Sequence, residues 1–169
     1  HTAPVRGIAF SPNGQTLVSG SLDKTIIIWD VAIGQPIGTP LTGHKDWLLN
    51  LDLSPNGKIL ASASADQTIR LWDTAAWQTS KTLRGHQLEV WSLAAIPDST
   101  RLVSGAKDGS VYVWDTGAIQ SRNAYVTLPK TLNDWRFAQE GESILSTDRQ
   151  LSMAQWKGAD FQTQNIAWQ

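Results

Sequence analysis

Serine, histidine and aspartate, the side chains of a hydrolase triad, recur in this chain at fixed spacing. The three histidines are His1, His44 and His86, and each is followed 22 residues later by an aspartate: Asp23, Asp66 and Asp108. Ser19, Ser62 and Ser104 stand four residues before those aspartates, and Trp29, Trp72 and Trp114 stand six after them. Nucleophilic catalysis needs one such set, with the serine open to a substrate. Three copies, each with a tryptophan in phase, point instead to a structural repeat, so no catalytic residue is assigned. The histidines lie more than 40 residues apart and there is no cysteine, which leaves no ligand set for a metal. Neither Gly-x-Gly-x-x-Gly nor a Walker loop occurs, so no cofactor is expected.

The elements that would position these residues show the same beat. Trp29-Asp30, Trp72-Asp73 and Trp114-Asp115 are followed by a related Trp156-Lys157, at intervals of 43, 42 and 42 residues. Gly-His pairs end at His44 and His86, and His1 falls one period earlier. A turn signature repeats as Ser11-Pro12-Asn13-Gly14, Ser54-Pro55-Asn56-Gly57 and Ile96-Pro97-Asp98-Ser99, and weakly at 138–141. Within the second unit, Trp47–Leu53 is an apolar-rich run that stops at the Pro-Asn-Gly turn, and Lys58–Ser62 is a second short run. A tight turn at Ala65–Gln67 leads into Thr68–Trp72, which alternates as a half-buried strand does, and a looser strand follows near Ser80–Leu83. No segment has helical periodicity. The apolar runs suit sheets covered on both faces, as stacked blades provide.

The unit GHKDWLLNLDLSPNGKILASASADQTIRLWD, residues 43–73, resembles the WD40 repeat, and the resemblance extends over the whole chain, strongly in three units and weakly in the fourth. It implies an all-β fold: a WD40-type β-propeller with four four-stranded antiparallel blades, the fourth degenerate. The repeats divide at about 1–42, 43–84, 85–126 and 127–169. An open arc of a seven-bladed propeller is expected, cut from a longer chain, because residue 1 is His and not Met. The resemblance also implies that each His, Ser, Asp and Trp set is a hydrogen-bonded tetrad inside a blade. Tryptophan donates to serine, serine to one imidazole nitrogen, and the other imidazole nitrogen to aspartate. In the fourth unit Ser146 and Trp156 are in register, but Leu128 and Gln150 hold the His and Asp positions, with Asp148 two residues off. That blade is expected to be the least stable.

Function is expected on the rim. The resemblance places partner contacts three and five residues after the His position and one before the Asp position. These are Pro4, Arg6 and Leu22, then Trp47, Leu49 and Ala65, then Glu89, Trp91 and Lys107, with Thr131, Asn133 and Arg149 in the degenerate unit. Trp47 and Trp91 hold no tetrad position. With Leu22 and Leu49 they are expected to form an apolar patch rimmed by Arg6, Glu89 and Lys107, which is the composition of a binding hot spot. The alternative is that they fill gaps between blades. Trp135 aligns with Ile8, Leu51 and Leu93 and is expected in the core, Trp77 lies towards the outer edge, and Trp168 falls in the tail.

A formal net charge of -1 argues against a nucleic-acid or anionic-membrane partner, which would need a basic surface. No apolar stretch nears the roughly 20 residues that span a bilayer. A cytosolic location is expected. The leading reading is a scaffold that binds proteins or peptides and packs against the remaining blades of its parent. The alternatives are a regulatory or sensor segment of a larger signalling kinase, protease or NTPase, and an enzymatic propeller that uses the channel. The absence of inward carboxylate or metal clusters weighs against the last.

Overall fold

The computed structural model describes residues 1–95 and 101–116 and, beyond them, the backbone of strands at 124–126, 132–138, 143–148, 153–157 and 162–166. Four antiparallel sheets of four strands follow one another along the chain. The first holds β1 (Val5–Phe10), β2 (Thr16–Ser21), β3 (Ile26–Asp30) and β4 (Gln35–Pro36). The second holds β5 (Leu48–Leu53), β6 (Ile59–Ser64), β7 (Thr68–Asp73) and β8 (Gln78–Arg84). The third holds β9 (Val90–Ala95), β10 (Arg101–Ala106), β11 (Val111–Asp115) and β12 (Ala124–Val126). The fourth holds β13 (Leu132–Ala138), β14 (Ser143–Asp148), β15 (Met153–Lys157) and β16 (Gln162–Ile166). Each is a simple meander, and among the described residues no helix occurs. The second blade lies close to its sequence reading. However, β6 runs two residues further, to Ser64, and Trp47 stands just outside β5.

Strand register is the same in every blade. Leu17 pairs with Trp29, Leu60 with Trp72, Leu102 with Trp114 and Ile144 with Trp156. Ser146 pairs with Trp135, as Ser19 pairs with Ile8, Ser62 with Leu51 and Ser104 with Leu93. The fourth unit therefore keeps the pairing of a blade despite its altered residues. Leu128, Arg149, Gln150, Thr131 and Trp168 lie outside the described residues.

The core lies between blades. Val18, Ile26 and Ile28 of the first blade pack on Leu48, Leu51, Leu53, Leu60 and Trp72 of the second. Ala61, Ala63, Ile69, Leu71 and Leu83 of the second pack in turn on Val90, Leu93, Leu102 and Trp114 of the third. In the second and third blades the tetrad-bearing face is thus covered by the preceding blade. The first blade has no such cover among the described residues. Ile8 and Phe10 are 61% and 58% exposed, while Leu51 and Leu53 at the same repeat positions are 4% and 9% exposed. Trp77, in the turn after β7 with a φ of 52°, packs on the edge of the cluster between the first two blades.

Two features hold the blades close. Asp52 on β5 accepts the backbone N–H of Ala95 on β9 at 2.9 Å. Burial pushes its carboxyl up, and N–H donors from Ala95 and Leu53 offset part of that. Gly20 faces the second blade, where an added Cβ would collide with Leu48 Cδ2 and crowd Leu51 Cδ2. Both leucines are buried and have little room to move. Gly20→Ala is therefore expected to lower unfolding stability by about 1–3 kcal/mol through overpacking, measured by urea denaturation.

Candidate interaction rim and its framework

The loop before each first strand and the tight turn before each third strand meet at one end of the blade. The turn is closed by the aspartate. Asp66 Oδ1 accepts the Thr68 backbone N–H at 3.0 Å and the Thr68 hydroxyl at 2.6 Å. The residue after the aspartate takes a left-handed conformation, with φ of 72° at Lys24, 69° at Gln67 and 81° at Gly109.

In the second blade the full set is joined. Trp72 Nε1 donates to Ser62 Oγ at 2.8 Å, Ser62 Oγ meets His44 Nε2 at 2.8 Å, and His44 Nδ1 meets Asp66 Oδ2 at 2.9 Å. Burial alone would raise the Asp66 carboxyl. Bonds from His44, Thr68 and the Lys45 N–H outweigh it and hold that carboxyl well below the usual carboxylate range. The first blade repeats the set. Trp29 Nε1 donates to Ser19 Oγ at 2.8 Å, and His1 lies 2.8 Å from Ser19 Oγ and 2.9 Å from Asp23 Oδ2. Ser62 is wholly buried and its hydroxyl is committed to two partners, so it cannot serve as a nucleophile.

The third blade departs from the expected set. His86 Nε2 meets Ser104 Oγ at 2.6 Å, and Trp114 Nε1 donates to Ser104 at 2.7 Å. His86 Nδ1, however, meets Ser110 Oγ at 2.8 Å, and it is Ser110 that bonds Asp108. A hydroxyl is interposed, and the expected contact of His86 with Asp108 is replaced by a relay. Tyr112 stacks on the imidazole with centroids 4.2 Å apart and planes at 9°. Burial lowers the His86 pKa to about 4, with the charge of Asp108 opposing it.

Sequence reasoning missed the fifth member of each set, a hydroxyl two residues after the aspartate: Thr25, Thr68 and Ser110. The signal was present as a constant hydroxyl at that position. It also missed Ser21 and Ser64. Each donates to a loop carbonyl, Ala3 at 2.9 Å and Asp46 at 3.0 Å, and accepts the N–H of its aspartate. The third blade has Ala106 there.

On this framework the proposed rim positions are physically linked. Leu22 N–H donates to the Pro4 carbonyl at 3.0 Å, Ala65 N–H to Trp47 at 2.9 Å and Lys107 N–H to Glu89 at 2.9 Å. The remaining position is a β-bulge in every blade. Pairing skips Arg6, Leu49, Trp91 and Asn133. An unpaired bulge residue breaks the ladder and turns the strand locally at that position. Trp47 and Trp91 are each 54% exposed, and Leu22 and Leu49 are half-buried. Glu89 braces one end. Its Oε1 takes Lys107 Nζ at 2.9 Å and its Oε2 takes Trp91 Nε1 at 3.0 Å. The Lys107 bond, followed by that from Trp91, lowers the Glu89 carboxyl.

The family model for the WD domain, G-beta repeat, matches residues 1–30, 34–73 and 77–115. The chain belongs to the WD40 repeat family. Its WD40 repeats are similar to a stretch of the probable serine/threonine-protein kinase PkwA of Thermomonospora curvata, 54% identical over 41 residues, which is 24% of this chain and 5% of that one. They are also similar to Protein Mut11 of Chlamydomonas reinhardtii, 46% identical over 39 residues, 23% of this chain and 10% of that one. The ribosome biogenesis protein BOP1 homolog of Drosophila melanogaster is 51% identical over 39 residues, 23% of this chain and 5% of that one. This chain thus matches only a small part of each relative's length. Among the described residues no group of three or more His, Cys, Asp or Glu is placed to hold a metal.

Proposed function

We propose that this WD40 segment is a non-catalytic recognition module that binds a protein or peptide through the rim formed by Arg6, Leu22, Trp47, Leu49, Glu89, Trp91 and Lys107. The observation that carries this reading is the half-exposed pair Trp47 and Trp91. Both stand on the rim, outside every tetrad, and large exposed aromatics mark contact surfaces. The bulge and the loop-to-turn hydrogen bonds fix their backbone before a partner arrives, which reduces the ordering cost of binding.

Replacing both tryptophans with alanine in the parent protein tests the reading. Quantitative affinity capture is expected to show at least about a tenfold loss of partner, since anchors of this kind contribute about 2 kcal/mol each. Thermal unfolding is expected to stay near that of the unsubstituted protein. Lost stability with unchanged capture contradicts the reading. A second reading, a regulatory segment of a signalling enzyme, is favoured by the 54% identity with the kinase PkwA. In that setting the same rim would bind a regulator or the enzyme's own domain.

A further inference from the structure

We propose that the third repeat is a proton-sensitive latch: protonation of His86 opens the hydrogen-bond relay behind the rim and releases the loop that carries Glu89 and Trp91. This deepens the recognition reading, on which only its consequence for a partner depends.

The relay runs in one direction. Trp114 Nε1–H donates to Ser104, whose hydroxyl donates to His86 Nε2; His86 Nδ1–H then donates to Ser110, whose hydroxyl donates to Asp108. Each group is used once, and this requires a neutral imidazole. A proton on Nε2 aims two donors at Ser104 and displaces the serine's own hydrogen from its acceptor. Among the described residues the new positive charge has no carboxylate in contact. In the first two blades the aspartate touches the imidazole at 2.9 Å, whereas here Ser110 stands between. Asp108 is the charged group whose field reaches the ring. Tyr112 and Trp114 cover the ring from β11, and the second blade packs Ala61, Ala63, Ile69 and Leu71 on the same face.

The loop is coupled to this network at both ends. Glu89 and Trp91 follow His86 by three and five residues, and the Lys107 N–H that bonds the Glu89 carbonyl belongs to the residue before Asp108. The first two blades have a second tether from Ser21 and Ser64 to this loop, and the third has Ala106 in its place.

The sign follows from burial. A pKa of about 4 in the closed blade, against 6.5 when open, means the closed state is fully favoured above about 6.5 and loses ground as pH falls towards 4. At pH 4.5 the opening equilibrium is expected to rise roughly 60-fold over its value at neutral pH.

Nuclear magnetic resonance of the full 169-residue chain between pH 7.5 and 4.5 tests this, reading the His86 ring and the indole N–H groups. The His86 ring is expected to stay neutral to well below pH 6. As it titrates, the Trp91 indole and the Lys107 and Ser110 amides should move with it. His86→Gln should abolish the Trp91 transition. Glu89→Gln, which removes the carboxylate holding that indole, should leave the His86 transition in place. A His86 ring titrating near 6.5, or a Trp91 transition that survives His86→Gln, overturns the latch. The wild-type ring titration decides even if His86→Gln does not fold. No partner enters the readout, so the latch and the recognition reading fail separately.

Discussion

Ser62→Ala is expected to lower unfolding stability by about 2–4 kcal/mol, whereas Ser19→Ala should cost about 1 kcal/mol. The two serines hold the same repeat position and bond the same partner types at the same 2.8 Å distances. The difference lies in what surrounds them. In the second blade Ser62, His44 and Trp72 are all buried, because the first blade covers that face. Removing the hydroxyl orphans the Trp72 indole N–H and the His44 Nε2 where water cannot replace it, and each orphan costs roughly 1–3 kcal/mol. In the first blade Trp29 is half-buried, so water compensates part of the loss. Urea denaturation of the two variants checks this, and equal losses would show that cover by a neighbouring blade has no bearing on the tetrad.

The same asymmetry should govern the apolar face. Leu51→Ala is expected to cost about 2–4 kcal/mol, because Leu51 is buried in the cluster between the first two blades and its removal leaves a cavity. In the 169-residue chain Ile8→Ala should stay within about 0.5 kcal/mol, since Ile8 at the equivalent position is 61% exposed among the described residues. Thermal unfolding of the pair reads this directly. A large loss from Ile8→Ala would mean that the first blade's outer face is covered in solution.

These pairs also show how far the sequence could be read. The recurring sets were legible because they rest on spacing, 22 residues from His to Asp with Ser and Trp at constant offsets, and the resemblance to the WD40 repeat implied their bonding, which the first two blades show and the third alters. Strand register followed from the same beat, and it holds even in the fourth sheet, where Ser146 and Trp156 remain in phase. The irregularity that each first strand carries was not legible. A bulge at Arg6, Leu49 and Trp91 is a pairing irregularity with no residue type of its own. Nor did any pattern separate Ile8 from Leu51, since only the neighbouring sheet decides which is buried. The relay at His86 was hidden for a further reason. Asp108 stands at the expected position, but its carboxylate turns to Ser110, and the stacked Tyr112 replaces Ile27 and Arg70 of the earlier blades. Side-chain orientation of that kind is set by local packing and leaves no spacing signal.

The tryptophans divide into a framework group, paired with serine inside the blades, and a proposed rim group that is open to a partner. Hydrogen exchange of the indole N–H groups in one sample tests that division most directly. Strong protection is expected at Trp72 and Trp114, intermediate protection at Trp29, and exchange within about tenfold of a free indole at Trp47, with Trp91 slowed modestly by its bond to Glu89. Protection of Trp47 and Trp91 equal to that of Trp72 would contradict it, because both would then be packed between blades and the rim would carry no free aromatic surface.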